Sequence, residues 1–140
     1  MSEAVREATK KQRPEFRNIH IAELSNYRMP LAALVSILHR ISGFLMFLAL
    51  PVILYLLQLS ILSEDSFKYF AGIASLPLVK LVILALAWAY FQHFCAGVRH
   101  LVMDLHVGLD KDSARKSSAI VLAVSLFLTF ITALKLFGVF

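Results

Sequence analysis

Three apolar segments of this chain, residues 31–62, 76–105 and 117–136, are each long enough to cross a bilayer, and two of them carry ionisable side chains. A span needs roughly 20 apolar residues. His39 and Arg40 lie inside the first segment, and His93, Arg99, His100 and Asp104 occupy the second half of the next. A charge at the bilayer centre costs roughly 2.5–3.5 kcal/mol on insertion scales. Several such groups in one chain call for partners: a cofactor, another subunit or a buried site.

The remaining features bound the class. Hydrophobic residues make up 59% of the 140, against roughly 45–50% in a soluble domain, so the expected fold is an all-α membrane protein. Three spans and short connections use up the length and leave no room for a separate soluble catalytic domain. The net charge of +5 raises the question of nucleic acid. The basic residues flank the apolar segments instead of forming a stripe with interleaved aromatics, so nucleic acid is not an expected partner. Cys95 is the one cysteine and lies within a span, which excludes an intrachain disulfide and a cysteine-ligated cluster. The first residues hold no apolar core of a secretory signal. Glu3, Glu7 and Glu15 argue against an acid-poor mitochondrial transit sequence, which leaves a bacterial inner membrane as the expected location.

Residues 1–30 are polar and basic, interrupted by Pro14 and Pro30, and form an expected extended arm with a short amphipathic turn at about 19–24. Residues 31–140 form the membrane part. Pro51 is expected to kink the first span, residues 63–75 to form a loop, and Pro77 to sit in the first turn of the second span. Residues 106–116 form a second, charged expected loop. Eleven of the fourteen Lys and Arg fall on the side of the arm and this loop, leaving Lys68, Lys80 and Lys135 opposite. The N-terminus is therefore expected in the cytoplasm.

In the second span His93, Gly97, His100 and Asp104 are spaced four, three and four and share one helix face. A neutral imidazole is a good axial ligand for haem iron, and a glycine lets a flat macrocycle or a neighbouring helix approach. His93 and His100 stand about 10.5 Å apart along the axis and do not both bind one iron. The first span offers Ser36, Arg40 and Gly43, with His39 beside Arg40. A guanidinium just below the membrane surface suits a propionate or polarises a quinone carbonyl, and the Ser36 hydroxyl one turn away can donate to the same oxygen. Blander roles are open to each. His93 can serve as a helix-to-helix hydrogen-bonding residue, Arg40 and Arg99 can snorkel, and Ser36 can bond back to its own helix. Asp104 can be a helix-end partner for Arg99 or His100. Cys95 and Trp88 suit packing, and Tyr27 and Tyr90 suit packing or the membrane interface.

Arg13-Pro14, the stretch Ser36-Ile-Leu-His39-Arg40-Ile-Ser42-Gly43, and His93-Phe-Cys-Ala-Gly97-Val-Arg99-His100-Leu-Val-Met-Asp104 together resemble the signatures of the succinate dehydrogenase cytochrome b subunit, the larger membrane anchor of respiratory complex II. The likeness covers nearly the whole chain and is nearest to proteobacterial members. It implies a three-span anchor beside a second anchor chain, together holding a flavoprotein with FAD and an iron–sulfur subunit with its clusters. It implies that His93 is one axial ligand of a haem b whose other ligand comes from the partner anchor, and that His39, Arg40 and His100 surround the propionates. Ser36 and Arg40 are implied to line a ubiquinone site. One departure touches the arm, where the Ser-Pro-His motif of many members is replaced by Glu15-Phe-Arg-Asn. An internal His39–His93 ligand pair is the alternative to a shared haem. The rival functions are a quinol–fumarate reductase anchor, a free-standing cytochrome b, and a structural membrane protein with no redox site.

Overall fold

The computed structural model describes residues 21–139, which are helical wherever they are regular. A short 3-10 helix, Ile21–Asn26, covers part of the expected amphipathic turn; the rest of the arm lies outside the described residues. Four α-helices follow: α1 Leu31–Leu62, α2 Glu64–Ser75, α3 Pro77–Asp104 and α4 Lys111–Leu136. Three of them, α1, α3 and α4, are long and apolar enough to span a membrane.

Local chemistry sets each boundary. Pro30 precedes α1 in an extended conformation, and its carbonyl accepts from Ala33 and Leu34 at 3.0 and 3.2 Å. α1 then runs 32 residues and continues through Pro51. At 1.5 Å per residue it is about 48 Å long, so it projects beyond a hydrocarbon core of about 30 Å. Pro77 occupies the first turn of α3, as expected. α4 ends on a left-handed Gly138 (φ 75°). There the amide of Val139 donates to Leu134 at 2.9 Å and that of Gly138 to Lys135 at 3.2 Å, the Schellman pattern.

Two expected loops contain helix instead. Residues 63–75 are almost wholly α2. Ser63 and Ser66 form a reciprocal capping box, with Ser63 Oγ accepting from the Ser66 amide at 3.1 Å and Ser66 Oγ accepting from the Ser63 amide at 3.2 Å. Glu64 and Asp65 sit where the helix dipole favours negative charge. The charged run 106–116 is a turn only to Asp110. Its carboxylate accepts from the Ser113 amide at 2.9 Å and starts α4 six residues before the apolar stretch.

α3 lies between α1 and α4, which also touch each other, and α2 folds back against α1. The buried faces combine small residues with two long polar ones. Ala89, Gln92, Ala96 and Arg99 form one stripe of α3, and Ser118, Val121 and Ser125 the facing stripe of α4. Val35, Ala96 and Val121 meet where the three spans converge, with Cys95 and Leu122 packed on them. Small side chains let helix backbones come close where lipid supplies no hydrophobic drive to associate. Two polar ties add to this contact: Ser125 Oγ donates to Gln92 Oε1 and Arg99 Nε to Ser117 Oγ, both at 2.9 Å. Most large apolar side chains face outward, Phe47 and Leu78 at 72% and 73% exposure among them, so the solvent this surface fits is lipid.

Candidate functional site

The site lies where α1 crosses α3. His39 and Gly43 are one turn apart on α1, and His93, Gly97 and His100 occupy the facing side of α3. The His39 and His93 rings stack with centroids 4.1 Å apart and planes 15° from parallel. The His100 ring is 5.1 Å from that of His39, tilted by 50°. Three imidazoles that are separate in the sequence thus form one cluster, with His39 bridging the two on α3.

The His93 ring is anchored to the opposite helix by main chain. Its Nδ1 lies 3.0 Å from the His39 carbonyl oxygen, and the Ser42 hydroxyl lies 3.4 Å from the same nitrogen. A carbonyl only accepts, so Nδ1 carries the hydrogen and Nε2 is left as the bare nitrogen. That is the tautomer a metal-bound histidine adopts when its other ring nitrogen is held by a backbone oxygen. The donor set and its orientation therefore fit a haem iron at His93. The approach is close: a methyl group on Gly43 would lie 2.8 Å from His93 Cε1, and one on Gly97 would lie 3.6 Å from His39 Nε2. In the sequence Gly97 suggested room for a macrocycle or a helix. In the structure it is the His39 ring that comes up to it.

As they are placed here, the stacked rings are not arranged as an internal ligand pair. Two axial imidazoles direct nitrogens at one iron from opposite sides, whereas His39 and His93 present their faces to each other.

Ser36 and Arg40 flank the cluster on α1, one turn apart. Ser42, Ser60, Ser117 and Ser118 all return their hydroxyls to carbonyls three or four residues back. Ser36, half-buried, makes no such bond, so its donor and lone pairs are free among the described residues. Arg40 is exposed and has no hydrogen bond or ion pair among them. Two grooves, of about 550 Å³ between α3 and α4 and about 670 Å³ between α1, α2 and α3, lie away from this cluster and are lined almost wholly by apolar side chains.

Two expectations need correction. Arg99 does not snorkel: it is 7% exposed and bonded to Ser117 across the α3–α4 contact. Asp104 is exposed and pairs with neither Arg99 nor His100; the ion pair found among the described residues is Lys68–Glu64 at 2.7 Å. Cys95 packs against the core as expected, Tyr27 and Tyr90 are exposed, and Tyr90 meets the rings of Phe91 and Phe94. Trp88 is partly buried, yet its Nε1 is enclosed without an acceptor. The seat that Ser42 and Gly43 provide for His93 was not assigned from the sequence. The signal was there in their spacing of three and four from His39, the rows that face a neighbouring helix.

Comparison with known proteins places this geometry in a family. Residues 9–132 match the model of the succinate dehydrogenase/fumarate reductase transmembrane subunit. The chain is 32% identical over 114 residues to the succinate dehydrogenase cytochrome b556 subunit of Paracoccus denitrificans, covering 81% of this chain and 88% of that one. It is 36% identical over 104 residues to the protein of the same name from Coxiella burnetii, covering 74% and 83%. For that from Rickettsia felis the figures are 29% over 106 residues, covering 76% and 82%. The chain belongs to the family of succinate dehydrogenase cytochrome b membrane subunits.

Proposed function

We propose that this chain is a membrane anchor of succinate:ubiquinone oxidoreductase, binding haem b jointly with a second anchor chain and forming part of the ubiquinone reduction site. The observation that carries this reading is the His93 ring: its Nδ1 is committed to the His39 carbonyl at 3.0 Å, which turns Nε2 into a ligand nitrogen. The names of the relatives, which include cytochrome b556 and succinate dehydrogenase, favour haem and succinate oxidation over fumarate reduction.

In this reading His93, together with a histidine of the partner anchor, would hold the haem iron. His39, Arg40 and His100 face the propionates. Haem b, when bound, supplies a one-electron redox centre within the membrane. Ser36 and Arg40 hold the quinone. Positions 36 and 40 are about 6 Å apart along the α1 axis, and the unpaired Ser36 hydroxyl and the Arg40 guanidinium are both able to donate to one carbonyl oxygen as negative charge develops on it. The partners of this reading are a flavoprotein with FAD and an iron–sulfur subunit, whose clusters would supply the electrons, and the quinone's protons would come from the side of the arm. The excess of Lys and Arg on that side supports an N-terminus in the cytoplasm, and the membrane of this reading is a bacterial inner membrane. Asp104, exposed and unpaired among the described residues, is available as a proton relay.

Replacing His93 by Leu tests the ligand assignment. The purified complex should lose its b-type Soret band or show it displaced. An unchanged spectrum would place the iron elsewhere.

A further inference from the structure

Of the five glycines, Gly43 is the one whose substitution meets a wall. A Cβ there would stand 2.8 Å from His93 Cε1, closer than real Cβ atoms come, and a tight 3.1 Å from Nδ1, whereas Gly97 would make an ordinary contact and Gly72 faces open space. One face of the His93 ring is already taken by the His39 ring at 4.1 Å, so few directions of retreat remain. Retreat also stretches the 3.0 Å bond from Nδ1 to the His39 carbonyl. The same carbonyl accepts the Ser42 hydroxyl at 2.9 Å, so the hydroxyl and the ring share one acceptor.

We propose that Gly43 and Ser42 are positioning residues that set the orientation and donor strength of the His93 imidazole. The proposal rests on His93 being the haem ligand. A hydrogen bond from Nδ1 to a backbone oxygen makes Nε2 more basic, and a more basic ligand favours the ferric iron. Gly43 permits the bond by having no side chain. Ser42 limits its strength by drawing on the same oxygen. Helix α1 thereby tunes a centre whose iron it does not touch.

The experiment is a redox titration of the haem in the purified complex, followed by its optical α-band and its electron paramagnetic resonance signal. Gly43→Ala should raise the midpoint potential and change the low-spin signal, because the ring is displaced and its Nδ1 bond weakened. Ser42→Ala should lower the potential, because the carbonyl is left to His93. Gly72→Ala, in open space on α2, should leave both readouts unmoved. Wild-type potentials and spectra in both Gly43→Ala and Ser42→Ala would overturn the proposal. If the Gly43 variant does not assemble, Ser42→Ala decides alone, an unmoved potential overturning it. His93→Leu separates the two failures. Haem lost in that variant while the seat variants stay silent sinks only the seat, whereas haem unchanged in it sinks the ligand assignment.

Discussion

Arg40 and Arg99 carry the same charge on adjoining helices and meet different fates. Arg99 is enclosed between α3 and α4 and spends its Nε on Ser117, whereas Arg40 is exposed and bound to nothing among the described residues. A structural role suits the first and a ligand role the second. Replacing Arg40 by Leu removes a charge-assisted donor worth about 1.5–3 kcal/mol, so quinone reduction should fall roughly ten- to a hundredfold. Succinate oxidation by an artificial dye acceptor should hold. Equal loss in the two assays would place Arg40 in assembly. Asp110 offers a different test. The backbone amide of Ser113, with a smaller effect from its side chain, holds the Asp110 carboxyl below the usual carboxylate range. A depressed carboxyl stabilises the fold above its unfolded value and loses that contribution as pH falls through the folded value. The first turn of α4 should therefore fray on acidification, seen as faster amide exchange at Ser113 and Ala114. Asp110→Asn should flatten that pH dependence. The histidines, Ser36 and Arg40 were legible in the sequence because an ionisable or hydroxyl group stands out in an apolar run. Arg99 was misjudged because the same apolar background hid its partner, a serine eighteen residues on.

Helix positions follow the same logic. The apolar cores of α1, α3 and α4 announce themselves through length, and Pro30 and Pro77 mark two starts. α2 and the beginning of α4 do not, because Glu64, Asp65, Lys111, Asp112, Arg115 and Lys116 suggest a solvated loop. What decides for helix there is short-range: a Ser63–Ser66 box and an Asp110–Ser113 cap, each resting on a three-residue spacing and a hydroxyl or carboxylate. How the helices face each other was only half visible, since the α3 stripe of Ala89, Gln92, Ala96 and Arg99 mixes apolar, amide and charge. The stripe has a measurable consequence. Ala96 is fully buried against Val35 and Val121, so Ala96→Leu should overpack the convergence and cost about 1–3 kcal/mol. Unfolding titrations in mixed detergent micelles would read this, with the exposed Leu101→Ala near neutral as comparison.

At the scale of the molecule the interior is thin. The buried apolar residues among those described are Val35, Ala89, Ala96 and Val121, and the broad surfaces of all three spans are apolar and open. Lipid satisfies such surfaces but does not complete a site. The imidazole cluster and the unpaired Ser36 and Arg40 stand on α1 and α3, where the Nδ1 of His93 is held by a carbonyl and the His39 ring is stacked against it. Produced without other subunits, the chain should insert but fail to retain haem through extraction and gel filtration. Stable haem on the isolated chain would mean that His39 unstacks and serves as the second ligand.

Position 39 does two jobs with different parts of one residue. Its ring contacts His93 and His100, and its carbonyl holds Nδ1. A side chain is exposed to mutation, but a peptide oxygen is inherited with the chain whatever residue is encoded there. His39→Ala should therefore remove the ring contacts with His93 and His100 but keep the carbonyl bond to Nδ1. Evolution can drift at this codon without loosening the grip on the His93 ring.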